Sequence, residues 1–345
     1  MMLWAVAKVD EGSKILGGFR YPILAAIIAL VVSWALTPYV RKVAMSRGAM
    51  DDPTRDDRRI HKEPLPRWGG VAIFLGILIA LSVVLPFAFP HTVVFPRYLF
   101  AMLAIAAVLM VFGALDDLYQ YSAKIQLLVL LGAGIGVQFI NGSLGAVQIK
   151  TLGVPLSSPP SYVTLGAWAI PLTAIYIFVI TKTMDTIDGV DGLAAGIATI
   201  SAMTLTIIAV YGGQPRVALV SAAIAGAAIG FLKHNYNPAK IIMGTGGAYV
   251  LGFMLACISI VGAFKTAAAF AIIIPVFVFG VPLVDAVQVM VRRKLSGVPI
   301  TQADKRHVHH QLLGKGLSQR QTVAVLYAVA AILCGVILWV VLRHA

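Results

Sequence analysis

Charge is what this sequence has least of. Only 12% of its 345 residues are Asp, Glu, Lys or Arg, against 59% hydrophobic, and the mean hydropathy is +0.90. Soluble domains carry about a quarter charged residues, so this chain cannot cover itself with the polar surface that a dissolved domain needs. Cysteine is nearly missing as well. Cys257 and Cys334 each lie inside a long apolar run, which excludes a disulfide framework and a paired-thiol metal site. No repeat of fixed period and no low-complexity linker divides the chain, so residues 1–345 read as one domain. A cleaved signal peptide is not expected either: the apolar start, 1–7, is short and runs into Lys8, Asp10 and Glu11.

Long hydrophobic runs are what the chain has instead. About 20 apolar residues cross the hydrocarbon core as a helix, and ten stretches meet or approach that length: 22–40, 69–90, 97–115, 123–140, 165–181, 192–211, 216–232, 246–263, 266–290 and 321–342. The ninth is long and twice broken by proline, which leaves room for an eleventh span, and 141–164 has space for a small surface element. The expected fold is an all-α, polytopic transmembrane bundle of ten or eleven spans.

Net charge is +13. Placing the N-terminus outside puts most of the basic residues, from Arg41 and Lys42 to Lys315 and Arg320, in loops on the cytoplasmic side, as membrane topology requires. Nucleic acid is therefore not needed to explain the charge. The acids are more informative, because topology makes no demand on them. Of 14, only Asp10 and Glu11 fall outside. A one-sided set of carboxylates from separate loops suits a divalent metal and a charged substrate at that face.

Five constellations lie there. Asp116 and Asp117 close the third span, a costly place for carboxylates at the negative end of a helix dipole. Adjacent helical residues point about 100° apart, so the pair cannot simply serve one ligand. Asp185, Asp188 and Asp191 recur every three residues, on one face if that segment is helical, and would repel without a cation or protons to relieve them. Gly244, Thr245, Gly246 and Gly247 open the eighth span, where backbone N–H groups of Gly246 and Gly247 could meet phosphate or the glycines could serve helix packing. Arg306, His307, His309 and His310 suit a clamp for phosphate oxygens better than a zinc site, since adjacent histidines rarely reach one ion together. In HKEPLPRWGG, Lys62 and Arg67 are the phosphate candidates, with Lys124 a further cation and Asn235 either a base reader or a turn cap. Metal, phosphate and diphosphate groups on one membrane face fit phosphoryl transfer between a soluble nucleotide and a lipid.

Through HKEPLPRWGG, the Asp116–Asp117 pair, DTIDGVDGLAAG, NYNPAKIIMGTGGAYVLGF and KRHVHHQLLGKGLSQRQ, the chain resembles the polyprenyl-phosphate N-acetylhexosamine-1-phosphate transferases, the glycosyltransferase family 4 kind. The likeness covers nearly the whole chain. It is nearer the undecaprenyl-phosphate N-acetylglucosamine-1-phosphate branch, which starts teichoic acid, O-antigen and related cell-envelope glycans. The resemblance implies a multi-pass inner (cytoplasmic) membrane enzyme whose active-site cleft faces the cytoplasm. Its substrates would be a UDP-N-acetylhexosamine and undecaprenyl phosphate, its product UMP, its cofactor Mg²⁺ with Mn²⁺ as substitute; dimers occur among relatives. It also implies that Asp116 and Asp117 ready the lipid phosphate, that Asp188 lies near the metal, and that Asp191, Asn235 and Lys62 surround the nucleotide. Arg306, His307, His309 and His310 would contact the diphosphate or sugar. Two positions depart from the family: Asp185 stands where asparagine is usual, and Thr245 where the metal-binding aspartate is usual. A metal set of Asp117, Asp188 and Asp185 is the resulting expectation. Two rivals are a weakened or silent relative that binds lipid phosphate or nucleotide, and an anion transporter. Against transport, every acid except Asp285 belongs to a loop or a helix end rather than the bilayer midplane.

Overall fold

The computed structural model describes residues 17–51, 63–140, 146–153, 162–263, 276–295 and 307–344. In chain order it runs α1 (Arg20–Ser46), β1 (Met50–Asp51), β2 (Leu65–Pro66), α2 (Gly69–Ala88), α3 (Arg97–Tyr119), α4 (Ala123–Phe139), β3 (Thr151–Gly153) and β4 (Tyr162–Thr164). Then follow α5 (Ala169–Ile187), α6 (Leu193–Tyr211), α7 (Pro215–Asn235), α8 (Gly244–Ala263), α9 (Gly280–Leu295), α10 (Val308–Gly314) and α11 (Gln319–His344). The protein is an all-helical, multi-pass membrane protein. Eight helices among the described residues are long and apolar enough to cross a bilayer, namely α1, α2, α3, α5, α6, α7, α8 and α11. The apolar α4 is shorter, and α9 takes up the later part of the 266–290 stretch, whose first residues lie outside the described ones.

Several helices outrun the apolar segments that announce them. α1 continues to Ser46 and α5 to Ile187. Hydropathy marks where side chains turn polar, whereas a helix ends where its backbone hydrogen bonds end, here at the Gly48 turn (φ 72°) and at Asp188. The small element expected within 141–164 is the antiparallel β3–β4 hairpin, with Leu152 opposite Val163.

α8 is the axis of the bundle. Of its most apolar window 94% is buried, inside a ring formed by α2, α3, α5, α6 and α7. Lipid tails are as apolar as leucine, so close backbone approach has to supply what hydrophobic burial supplies in water. Gly113 of α3 lies against Gly246, and Gly70 of α2 against Gly247; a Cβ on any of the four would collide with the facing chain. Outward-facing Val31, Trp34, Phe100, Val108, Leu128 and Ile332 are exposed and form the lipid-facing surface.

Candidate active site

The site begins with backbone pairing between segments far apart in sequence. Ile242 N–H donates to the Pro66 carbonyl (2.9 Å), while Gly69 and Gly70 donate to Ile242 and Met243 (3.2 and 2.9 Å). Arg67 N–H donates to the Ala49 carbonyl at 2.9 Å, beside the β1–β2 pair. Residues 65–70 are thereby laid along 241–243, where α8 begins. Trp68 adopts a left-handed conformation (φ 77°), uncommon for a bulky residue, and is held there by its indole N–H on the Ala114 carbonyl at 2.9 Å. Strain of this kind persists where the surroundings over-determine it, often at functional sites.

α3 ends in the same place. Its two aspartates diverge, as their spacing requires. Asp116 turns to α4: Oδ1 accepts from the Tyr121 N–H at 2.9 Å, and the Gln126 amide reaches Oδ1 and Oδ2 at 3.1 and 3.2 Å. Asp117 turns inward, buried, to the start of α8. Its Oδ1 accepts the Thr245 N–H at 3.1 Å and faces Arg67 Nε at 3.3 Å, while Oδ2 is buried with no hydrogen-bond partner among the described residues. Gly244, at φ 75°, makes room for that oxygen, since a Cβ there would meet it. Arg67 also faces Asp51 at 3.7 Å. Burial works against its charge, but Asp117 and then Asp51 outweigh that and leave its pKa raised. The basic partner that the sequence near Asp117 does not offer thus arrives from 50 residues away.

α5 brings the second acidic group, and here one expectation is corrected. The helix stops at Ile187, so Asp185, Asp188 and Asp191 do not share a face. Asp185 pairs with Lys182 at 2.7 Å, and Lys182 also donates to Gln126 Oε1 at 2.7 Å, which links the two acidic groups through one amide. Asp188 lies near the Gly244 N–H, which favours its ionised form. Its burial, with Asp185 and then Asp117 nearby, lifts the carboxyl pKa well above the usual range despite Arg67. Asp191 is spent elsewhere: it accepts from the Asn237 amide (2.9 Å) and the Ala239 N–H (3.0 Å). Asn235 takes the turn-cap role, accepting the Gly192 N–H and donating to the Ile241 carbonyl, each at 3.0 Å, rather than facing an open cleft.

The helix N-terminus of α8 does capture anions, but they are the chain's own. Thr245 N–H takes Asp117, and Asp188 lies near the Gly244 N–H. Gly246 and Gly247, expected at phosphate, pack against α3 and α2. Thr245 is buried, its hydroxyl beside the Asp117 carboxylate.

The histidines close the site from the other side. His309 is buried against Gly189, the residue after Asp188; a Cβ there would stand 3.4 Å from its Nε2. Burial, then neighbouring His310, lowers the His309 imidazole pKa to about 3. The His307 ring stacks on His309 at 5.6 Å, and His310 lies 4.4 Å from His309. Lys124 stands exposed in the first turn of α4. Lys62 and Arg306 lie outside the described residues. Residue-by-residue reading missed Gln126, Lys182, Trp68 and Asp285. Asp285 carried a signal as a lone acid in an apolar run, and Lys182 by standing three residues before Asp185; Gln126 and Trp68 act through contacts more distant in sequence.

Asp117, Asp188 and Asp185 gather around Arg67 and the start of α8, with the histidines opposite. Such a group can bind a diphosphate through a cation and orient it for displacement. Comparison with known proteins places the chain in a family. A profile described as glycosyl transferase family 4 matches residues 99–263. A Bacillus subtilis protein named probable undecaprenyl-phosphate N-acetylglucosaminyl 1-phosphate transferase is 35% identical over 310 residues, covering 90% of this chain and 82% of that protein. The decaprenyl-phosphate N-acetylglucosaminephosphotransferase of Mycobacterium tuberculosis is 33% identical over 325 residues, 88% of this chain and 78% of its own. The undecaprenyl-phosphate alpha-N-acetylglucosaminyl 1-phosphate transferase of Escherichia coli K12 is 27% identical over 302 residues, 86% and 78% of the two chains. The motifs that span both acidic groups and the histidine segment thus sit on the scaffold of these relatives, and the chain belongs to glycosyl transferase family 4.

Proposed function

We propose that the protein transfers N-acetylglucosamine 1-phosphate from UDP-N-acetylglucosamine to undecaprenyl phosphate and releases UMP, starting a cell-envelope glycan at the cytoplasmic face of the cytoplasmic membrane. The observation that carries this reading is the junction of Asp117, Asp188 and Arg67 at the start of α8. Names borne by the relatives supply the lipid and sugar-phosphate classes.

The residues fit a divalent cation, although among the described residues no cluster of three acidic, histidine or cysteine side chains forms a cage by itself. Asp117 Oδ2 is buried and unpartnered, and Asp188 is held beside it against mutual repulsion. Asp117 and Asp188 would hold Mg²⁺, or Mn²⁺ on the same oxygen donors, with substrate oxygens and water completing the shell. Asp185 is the weaker ligand because Lys182 already pairs with it. When bound, the ion supplies neutralisation of diphosphate charge.

The chain's own groups do the rest. A lipid-phosphate oxygen attacks the β-phosphorus of the donor, the bond to UMP breaks, and UMP leaves with the bonding pair. Asp116 has both oxygens engaged by Gln126 and Tyr121, so it anchors the end of α3. Asp117 keeps a free oxygen and takes the role of orienting the incoming phosphate and accepting any proton it carries. Arg67 and the histidines face the diphosphate, which must be positioned more than it must be chemically activated. The direct displacement would be overturned by a trapped phospho-sugar on any aspartate.

Position 245 favours a second reading, a weakened enzyme, because a threonine hydroxyl is a poor ligand for a hard cation. Transfer of radiolabelled sugar phosphate to undecaprenyl phosphate in detergent, with and without Mg²⁺, separates the two. Metal-dependent transfer by the unaltered protein supports the proposal. Silence relieved by Thr245→Asp identifies a transferase scaffold switched off at that position, and silence in both proteins with several UDP-sugars removes the transferase reading.

A further inference from the structure

Asp285 lies in α9, 2% exposed, and the chemistry above does not use it. Its Oδ1 accepts the Val308 N–H at 2.7 Å and its Oδ2 meets His307 Nδ1 at 2.8 Å. α9 packs on α5 and α11, so this carboxylate reaches the histidine segment from a separate element, 22 residues away in the chain. An ionised carboxylate has no proton to give, so the hydrogen in the 2.8 Å contact belongs to Nδ1. With Nδ1–H held and the next backbone N–H held by the same side chain, the ring is fixed in tautomer and in orientation. Its other nitrogen, Nε2, is the one left for a substrate. The ring is not remote from the acids, since it stacks on His309, which lies against Gly189 beside Asp188.

We propose that Asp285 is a positioning residue for the transfer reaction, holding His307 as the Nδ1–H tautomer so that Nε2 meets the sugar-diphosphate donor. The inference rests on the transferase reading above. It also explains a placement that loop anchoring does not. An asparagine at 285 could accept the Val308 N–H equally well without the desolvation cost of a buried carboxylate. What it could not do is accept from Nδ1–H while its amide nitrogen faces the ring; it would donate instead and drive the ring proton to Nε2.

That difference makes the test. Nitrogen-15 spectra of histidine-labelled protein in detergent report which ring nitrogen carries the proton, and His307→Ala assigns the signal by its loss. Steady-state transfer kinetics are run alongside for Asp285→Asn, Asp285→Glu, His307→Ala and the Asp285→Asn/His307→Ala pair. The expected result is Nδ1–H in the unaltered protein and Nε2–H in Asp285→Asn. The kcat of Asp285→Asn should fall on the order of 10²-fold or more with little change in melting temperature. Asp285→Glu recovers part of the loss, and the double variant is no slower than His307→Ala alone because both act on one ring. Wild-type kcat in Asp285→Asn, additive losses in the double variant, or an Nε2–H signal in the unaltered protein overturns the proposal. Should Asp285→Asn not fold, the spectrum of the unaltered protein and the kinetics of Asp285→Glu decide it. If neither the unaltered protein nor Thr245→Asp transfers with several UDP-sugars, the transferase reading has failed, and the spectrum still answers for Asp285.

Discussion

The two ends of the helix bundle treat polar groups in opposite ways. At the end where α6 and α8 finish, they are mostly neutral amides bound to backbone carbonyls. Gln138 donates to Gly134 and Ile170 (2.8 and 3.0 Å), Gln214 to Gly262 (2.7 Å), and Arg216 lies over the Phe89 ring at 4.0 Å while donating to Val93 (2.8 Å). No carboxylate stands there among the described residues. At the end where α8 begins, Asp117, Asp188 and Asp185 crowd one another, a guanidinium is shared between two acids, and a buried carboxylate oxygen is left without a partner. The first arrangement leaves Gln138 Oε1 and Arg216 Nε without a hydrogen-bond partner among the described residues but crowds no like charges, so its cost in a low-dielectric interior is the smaller. The second is costly, and such costs are retained where a ligand relieves them.

The contrast can be broken experimentally. Gly244→Ala should have the largest effect of the exchanges that keep every functional group. It puts a Cβ against Asp117 Oδ2 on a backbone at φ 75°, and a carboxylate displaced by about 1 Å costs on the order of 10²-fold in transfer. Steady-state kinetics check it. Gln126→Leu comes next. It frees Asp116 and Lys182 from their shared amide, so transfer should fall roughly tenfold and stability by about 1–3 kcal/mol, read from detergent melting curves. At the opposite end, Gln138→Leu removes two bonds to carbonyls and should lower stability by about 1–2 kcal/mol while leaving kcat unchanged. A kcat effect there as large as that of Gln126→Leu would erase the distinction.

The last prediction concerns stability alone and is a pH dependence. His309 is held neutral when folded, with its pKa lowered to about 3, against an ordinary value of about 6.5. Between those values the unfolded chain binds the extra proton, so this residue's contribution to stability is present above about pH 6.5 and declines as pH falls toward 3. Asp188 acts in the opposite sense, since a raised carboxyl pKa favours the folded state as pH falls. Subtracting the pH profile of His309→Gln from that of the unaltered protein isolates the histidine. The difference should grow from pH 6.5 to pH 4.

Much of this was legible in the sequence. The apolar runs gave the helices, and the one-sided acids gave the functional end, because each signal is carried by local composition. The divergence of Asp116 and Asp117 followed from helical geometry alone. The failures share a cause. Asp191 shares a face with Asp185 only if the helix continues, and it stops at Ile187. Gly246 and Gly247 look the same whether or not a glycine faces them, and only the positions of Gly113 and Gly70 reveal the packing role. The Arg67–Asp117 and Asp285–His307 pairs join residues that only the packed bundle brings together. Local periodicity could reveal which residues are unusual, but not which of them meet.

One measurement bears most directly on the claim that the start of α8 is built for a ligand at the expense of stability: transfer activity and melting temperature of Asp117→Asn, determined on the same preparation. The expected result is a loss of transfer on the order of 10³-fold with a melting temperature little changed from that of the unaltered protein, because relief of the unpartnered Oδ2 and of repulsion with Asp188 offsets the weakened ion pair with Arg67, which keeps Asp51. A variant that melts markedly lower yet transfers normally would contradict it, and would leave Asp117 only its structural role as the partner of Arg67.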